Sequence, residues 1–193
     1  MISFSMSLLD KNMHKQDVEK FLEGKGDYIQ VDHLERYLKL MPPIEMRKFA
    51  YLKLAQIYLN KEMYSSAAEA FKNAAVNSVI FREKQENFLN EAKAYVSEGK
   101  IDESDKALKK ALDEGNKQEK EALYSEFLKF FRSEIEKREK QNKPGHLIKL
   151  YEIFLRLKVE EPEKEETKEK LLKVYDKLGK VKEARILRET GKA

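Results

Sequence analysis

Apolar residues return every three or four positions over much of this chain, the pattern of amphipathic helices. The sharpest stretch runs from Phe49 to Val76: Tyr51, Leu54, Ala55 and Tyr58, then Ala67, Phe71 and Ala74. The same frame returns as Phe88, Ala92 and Tyr95 followed by Ser104, Leu108 and Ala111, and again as Leu171, Leu172 and Tyr175 followed by Ala184. In all three the small residue stands nine positions beyond the tyrosine. The first two tyrosines are 37 residues apart, whereas Tyr95 and Tyr175 are 80 apart, which leaves room for one more unit between them.

That middle unit shows by helical period alone. Leu123, Phe127, Phe130, Phe131 and Ile135 form a stripe on a helix expected to run to about Gln141. Asn142, Pro144 and Gly145 make the break, and Leu147, Leu150, Tyr151, Phe154 and Leu157 form the returning helix. At the front, Val18, Phe21 and Leu22 end at Gly24-Lys25-Gly26; Tyr28, Val31, Leu34, Tyr37, Leu38 and Met41 follow, and Pro42-Pro43 stops the helix. The pattern divides a single domain, 1–193, into units at about 12–45, 48–81, 85–118, 121–160 and 165–193, the first and fourth degenerate. Gly99 and Gly179 each follow a frame tyrosine by four, the place for a left-handed residue that caps a helix; Asn60 stands near that place in the first clear unit.

One helix pair cannot bury its own apolar face, but stacked pairs share a continuous core. Ala55, Ala67 and Ala74 are expected at close helix approaches, with Tyr58 and Phe71 filling the spaces beside them. A buried Tyr58 truncated to alanine should cost about 3–5 kcal/mol.

Composition narrows the function. Hydrophobic residues are 41% and charged residues 38%, too apolar for a disordered chain, so the charges coat a folded one. Seven Gly and four Pro are too few for an all-β fold with a turn every ten or so residues. The net charge of +4 lacks the strong basic excess usual for nucleic-acid binding, and the signs are interleaved. The absence of Cys excludes a disulfide framework and a thiol nucleophile. The opening stretch to Asp10 has no Lys or Arg before its apolar residues and is broken by Ser3, Ser5 and Ser7, unlike a secretory signal. No apolar run approaches the roughly 20 residues of a membrane helix. A soluble cytoplasmic protein is the expectation.

His14, His33 and His146 are far apart and not at ligand spacing. No HExxH, GxSxG or phosphate-cradling loop occurs, and Gly24-Lys25-Gly26 reads as a turn. Glu160-Glu161 and Glu163 to Glu166 read as a solvated face or a helix N-terminus. No catalytic residue, cofactor or metal ligand is singled out, and the chain is expected not to be an enzyme.

Tyr51-x2-Leu54-Ala55-x2-Tyr58 with Ala67-x3-Phe71 resembles the tetratricopeptide repeat. The likeness is clearest over Phe49–Val76 and extends to Gln85–Leu112 and the last 30 or so residues. There are departures: the family's Trp-like position holds Tyr51, Phe88 and then Lys168, and its closing Pro is missing after Ala74, where Val79 stands. The resemblance implies an all-α, right-handed α-α superhelix, a solenoid of about four to five antiparallel helix pairs. It also implies a protein-binding scaffold or adaptor that holds a peptide or helix on a concave face lined by the first helix of each pair. That face would present Phe49, Leu52, Lys53, Gln56 and Asn60 from one unit and Glu86, Leu89, Asn90, Lys93 and Ser97 from the next. Asn90 and Lys93 match fragments of the family's carboxylate clamp, but Leu52 and Gln56 stand where its first Lys and Asn belong. The alternative is an RNA-binding helical repeat, since Phe81-Arg82 and Phe127 to Arg132 mix aromatic and basic residues. A third reading is a supporting subunit of an enzyme. The last helix, Val181 to about Thr190, would cap the array or dock on a partner or a second copy.

Overall fold

The computed structural model describes residues 8–113, 115–141 and 144–189. The opening serine-broken stretch up to Ser7, Asn142 of the expected break and Thr190 of the last helix lie outside the described residues. Among the described residues there are ten α-helices and no strand: α1 (Lys15–Leu22), α2 (Asp27–Lys39), α3 (Ile44–Asn60), α4 (Tyr64–Val76), α5 (Phe81–Glu98), α6 (Ile101–Leu112), α7 (Lys117–Lys140), α8 (Pro144–Phe154), α9 (Glu161–Lys177) and α10 (Val181–Glu189). From α2 onward, helices adjacent in sequence pack on one another, and α5 also packs on α7. The last four pairs each begin four residues ahead of the frame's unit boundaries, at 44, 81, 117 and 161. Each of these helices starts on exposed residues, ahead of the buried positions that the frame was read from.

Local chemistry sets these ends. Asn116 caps α7, its side chain accepting from the Glu119 N–H at 3.0 Å while Glu119 accepts from the Asn116 N–H at 2.9 Å. Among the described residues α7 is the longest helix, at 24 residues. Pro43 precedes α3, and Pro162 sits in the first turn of α9, where its missing N–H costs no bond. Gly145 lies inside α8, and Leu157 falls beyond its end.

One turn is built three times. The N–H of Met63, Lys100 and Lys180 donates to the carbonyl of Tyr58, Tyr95 and Tyr175, at 2.8, 2.9 and 2.9 Å. The residue before each donor is left-handed: Glu62 at φ 56°, Gly99 at 80° and Gly179 at 69°. The capping position in the first clear unit is therefore held by Glu62, not by Asn60, which is the last residue of α3. The small residues nine beyond the tyrosines are all buried: Ala67, Ser104 and Ala184. Ser104 also donates to the Ala92 carbonyl across the α5–α6 pair at 3.0 Å.

Two apolar clusters hold the molecule together. One joins α1 to α4 around Val18, Leu34, Tyr37 and Phe71; the other runs from Ala75 through α10 around Leu89, Phe131, Phe154 and Leu171. Between them lies a seam of Ala67, Ala68 and Ala94, where α4 and α5 approach closely. Ala55 and Ala74 are fully buried as expected and Phe71 is buried, but Tyr58 is only half-buried, its hydroxyl donating to Glu35 at 3.1 Å. Its truncation should therefore cost less than that of a fully enclosed tyrosine.

Candidate partner-binding faces

The odd-numbered helices are joined in series by ion pairs. Lys53 of α3 meets Glu19 of α1 at 3.1 Å, and Lys48 of α3 meets Glu83 of α5 at 2.7 Å. Lys93 of α5 meets Glu126 of α7 at 2.6 Å, and Arg132 of α7 holds both carboxylate oxygens of Glu163 in α9 at 2.5 and 2.8 Å. Each partly exposed pair contributes at most about 1 kcal/mol. Their larger consequence is that this face satisfies its own charges. The Arg132 hydrogen bond holds the Glu163 carboxyl below the ordinary range, and bonds to Glu45 and Glu83 raise the Lys48 ammonium.

Below these pairs sits a buried polar cluster. Arg138 donates to Glu134 at 2.8 Å and to the Ser97 carbonyl at 2.8 Å, tying the C-terminal end of α5 to α7. Its spacing was visible in the sequence, because Glu134 and Arg138 continue the stripe of Phe127, Phe131 and Ile135.

The ten residues expected on this face separate by burial. Phe49, Leu89 and Ser97 are buried. Phe49 is also covered by Lys15 and Lys53, 5.4 and 5.6 Å from its ring centre. Leu52, Lys53, Asn90 and Lys93 are half-buried, and both lysines already hold carboxylates. Gln56, Asn60 and Glu86 are exposed; Gln56 donates to Asn60 at 2.9 Å, and Glu86 pairs with Arg82 at 3.2 Å.

A pocket of about 570 Å³ lies beside the Glu19–Lys53 pair, lined mostly by charged and polar residues, and two grooves with apolar floors lie between even-numbered helices. A groove of about 500 Å³ lies between α2 and α4, floored by Tyr51, Leu54 and Tyr58 of α3. A second, of about 260 Å³, lies between α6 and α8, floored by Phe127 and Phe131 of α7, walled by Leu108 and Ile153, and rimmed by Asp102, Asp105 and Arg156. Over α5 the corresponding place is occupied by Glu91. It is 3% exposed, its Oε2 has no hydrogen-bond partner, and its Oε1 is 4.0 Å from the Lys110 ammonium. Burial pushes this carboxyl above the ordinary range, against the opposing pull of Lys110 and Lys72. Glu91 stands where the frame has Leu54 and Leu171, a signal that was in the sequence.

The aromatics considered for stacking on a single strand are placed differently: Phe127 and Phe131 are core, while Phe81 is exposed. The histidines lie on separate elements; buried His33 packs edge-on against Phe21 with ring centres 4.9 Å apart. Compared with protein-family models, curated proteins and solved structures, the chain matches none.

Proposed function

We propose that this chain is a non-catalytic binding module of the tetratricopeptide kind, its helix pairs stacked as a right-handed superhelical array that holds a protein partner. The thrice-built turn, with its buried small residue nine positions on, supports the repeat: the same supersecondary unit recurs at matching frame positions. Apolar floor open to a partner lies in the two even-helix grooves, which suit a few anchoring side chains of an extended peptide or helix. The odd-helix set contributes Gln56, Asn60 and Glu86 as surface contacts.

The test is capture from native extract, split into nuclease-treated and untreated halves, with bound proteins identified by mass spectrometry. A stoichiometric protein should survive nuclease, and Ile153→Glu in the α6–α8 groove should weaken its capture more than Gln56→Glu does. Capture that disappears with nuclease, with nucleic acid in the untreated eluate, would replace this reading with RNA binding.

A further inference from the structure

Two carboxylates are buried among the described residues, and they differ in their partners. Glu134 accepts a hydrogen bond from Arg138 at 2.8 Å, and the Ser97 hydroxyl lies 3.5 Å from its other oxygen. Glu91 has no such donors. Its Oε2 is buried without a hydrogen-bond partner, and its ion pair with Lys110 spans 4.0 Å, beyond hydrogen-bond reach. A buried charge left in this state gives up hydration without replacing it, so the carboxylate is a strong acceptor with an open position.

Its surroundings suit a cation. Phe88, Glu91 and Tyr95 stand 37 residues after Tyr51, Leu54 and Tyr58, the floor of the α2–α4 groove. Glu91 is thus flanked along α5 by two aromatic residues. The charges that act on it are Lys110 from α6 and Lys72 and Glu69 from α4. Lys72 is held by both oxygens of Glu69, at 3.1 and 3.2 Å. The Lys110 ammonium lies 5.4 Å from the Phe88 ring centre, and its side chain is 47% exposed. Lys110 also lines a pocket of about 220 Å³ with Phe81, Lys84, Gln85, Phe88 and Asp113. It therefore borders both that pocket and Glu91. Turning its ammonium out into water leaves Asp113 and Glu91 against Lys84.

We propose that Glu91 anchors an arginine side chain of a protein partner, which enters by the pocket beside Phe88 and takes the place of the Lys110 ammonium. Lys110 shows that a cation can sit against both Phe88 and Glu91, but at a distance that leaves Oε2 without a donor. A guanidinium offers two parallel N–H donors that match the two carboxylate oxygens, and its plane stacks on an aromatic face. A lysine would bring a single point charge, and a metal ion would need several more oxygen ligands. The half-exposed Lys110 side chain can swing into water, where its ammonium is hydrated. The site is separate from the two apolar grooves, and it takes from the proposed function only that the partner is a protein.

The experiment is titration of the isotope-labelled full chain at pH 8 with N-acetyl-arginine amide, followed by NMR, with N-acetyl-glutamine amide as the neutral control. The expected result is saturable shifts at Phe88, Glu91 and Lys110 with the arginine compound and none with the glutamine compound. Glu91→Gln keeps the shape and removes the charge, and should weaken binding about tenfold or more, the scale of a hydrogen bond to a charged group. Lys110→Ala should tighten binding, because the resident cation no longer competes; a Lys110 that served only the fold would not give that result. Circular dichroism checks that each variant is folded. Shifts of equal size at surface acids elsewhere, or with the glutamine compound, would overturn the inference. So would equal affinity in the wild type and Glu91→Gln, or absence of binding in both the wild type and Lys110→Ala. None of these results bears on the groove reading, which is tested by capture and Ile153→Glu.

Discussion

Glu91 occupies in α5 the place that Leu54 fills in α3 and Leu171 in α9. A leucine there would gain from burial, whereas a carboxylate loses hydration and in this fold recovers a 4.0 Å approach to Lys110 and the weaker pull of Lys72. Its folded pKa is raised above the ordinary value of 4.5, so its contribution to stability is fully present below that value and is lost as pH rises through the raised one. Glu91→Leu should therefore stabilise the protein at pH 8, by about 1–3 kcal/mol on the scale for replacing buried charge with apolar side chains. That advantage should shrink as pH falls toward 4.5. Urea melts at a series of pH values would show it; a stability difference that does not change with pH would mean that Glu91 does not titrate differently in the folded state.

At the scale of elements, the helices were legible because what makes them is local. Apolar spacing and the Pro42-Pro43 break act within a turn or two of chain, so they can be read in order. The capping residue after α3 was harder to place. Asn is the usual substitute for Gly in the left-handed conformation, which favours Asn60 by residue type, whereas Glu62 keeps the same four-residue interval from its tyrosine as Gly99 and Gly179 do. Glu62→Gly should relieve the strained φ and raise stability by about 0.5–1 kcal/mol, the gain net of the larger chain entropy of glycine. A thermal melt that moves downward instead would show that the Glu62 side chain offsets its strain by contacts of its own.

At the scale of the molecule, one apolar cluster spans α1–α4 and a second runs from Ala75 at the end of α4 through α10, with Ala67, Ala68 and Ala94 between them. The buried residues of the seam are all alanines, with Tyr58, Leu59 and Tyr95 packed beside them, so the two halves are coupled by close helix approach. Ala94→Leu should force α4 and α5 apart and cost about 1–3 kcal/mol as an overpacked site. The cost should fall on the coupling: hydrogen exchange followed by mass spectrometry would find α1–α4 and α5–α10 opening at different urea concentrations in the variant. A single transition that is merely shifted would mean that the halves remain one cooperative unit despite the wedge.

The sequence by itself determined the helices, their approximate ends and the recurring tyrosine–small-residue frame, because each depends on residues a few positions apart. It did not determine which face is free. Phe49, Leu89 and Ser97 lie on the expected helix face but are buried, and Lys53 and Lys93 are already paired. The ion pairs that join α3 to α5, α5 to α7 and α7 to α9 link partners 31 to 35 residues apart. Helical period says that a residue shares a face with its neighbours. Whether another helix or a paired side chain covers a given residue of that face depends on how whole pairs pack, and only the tertiary structure decided it.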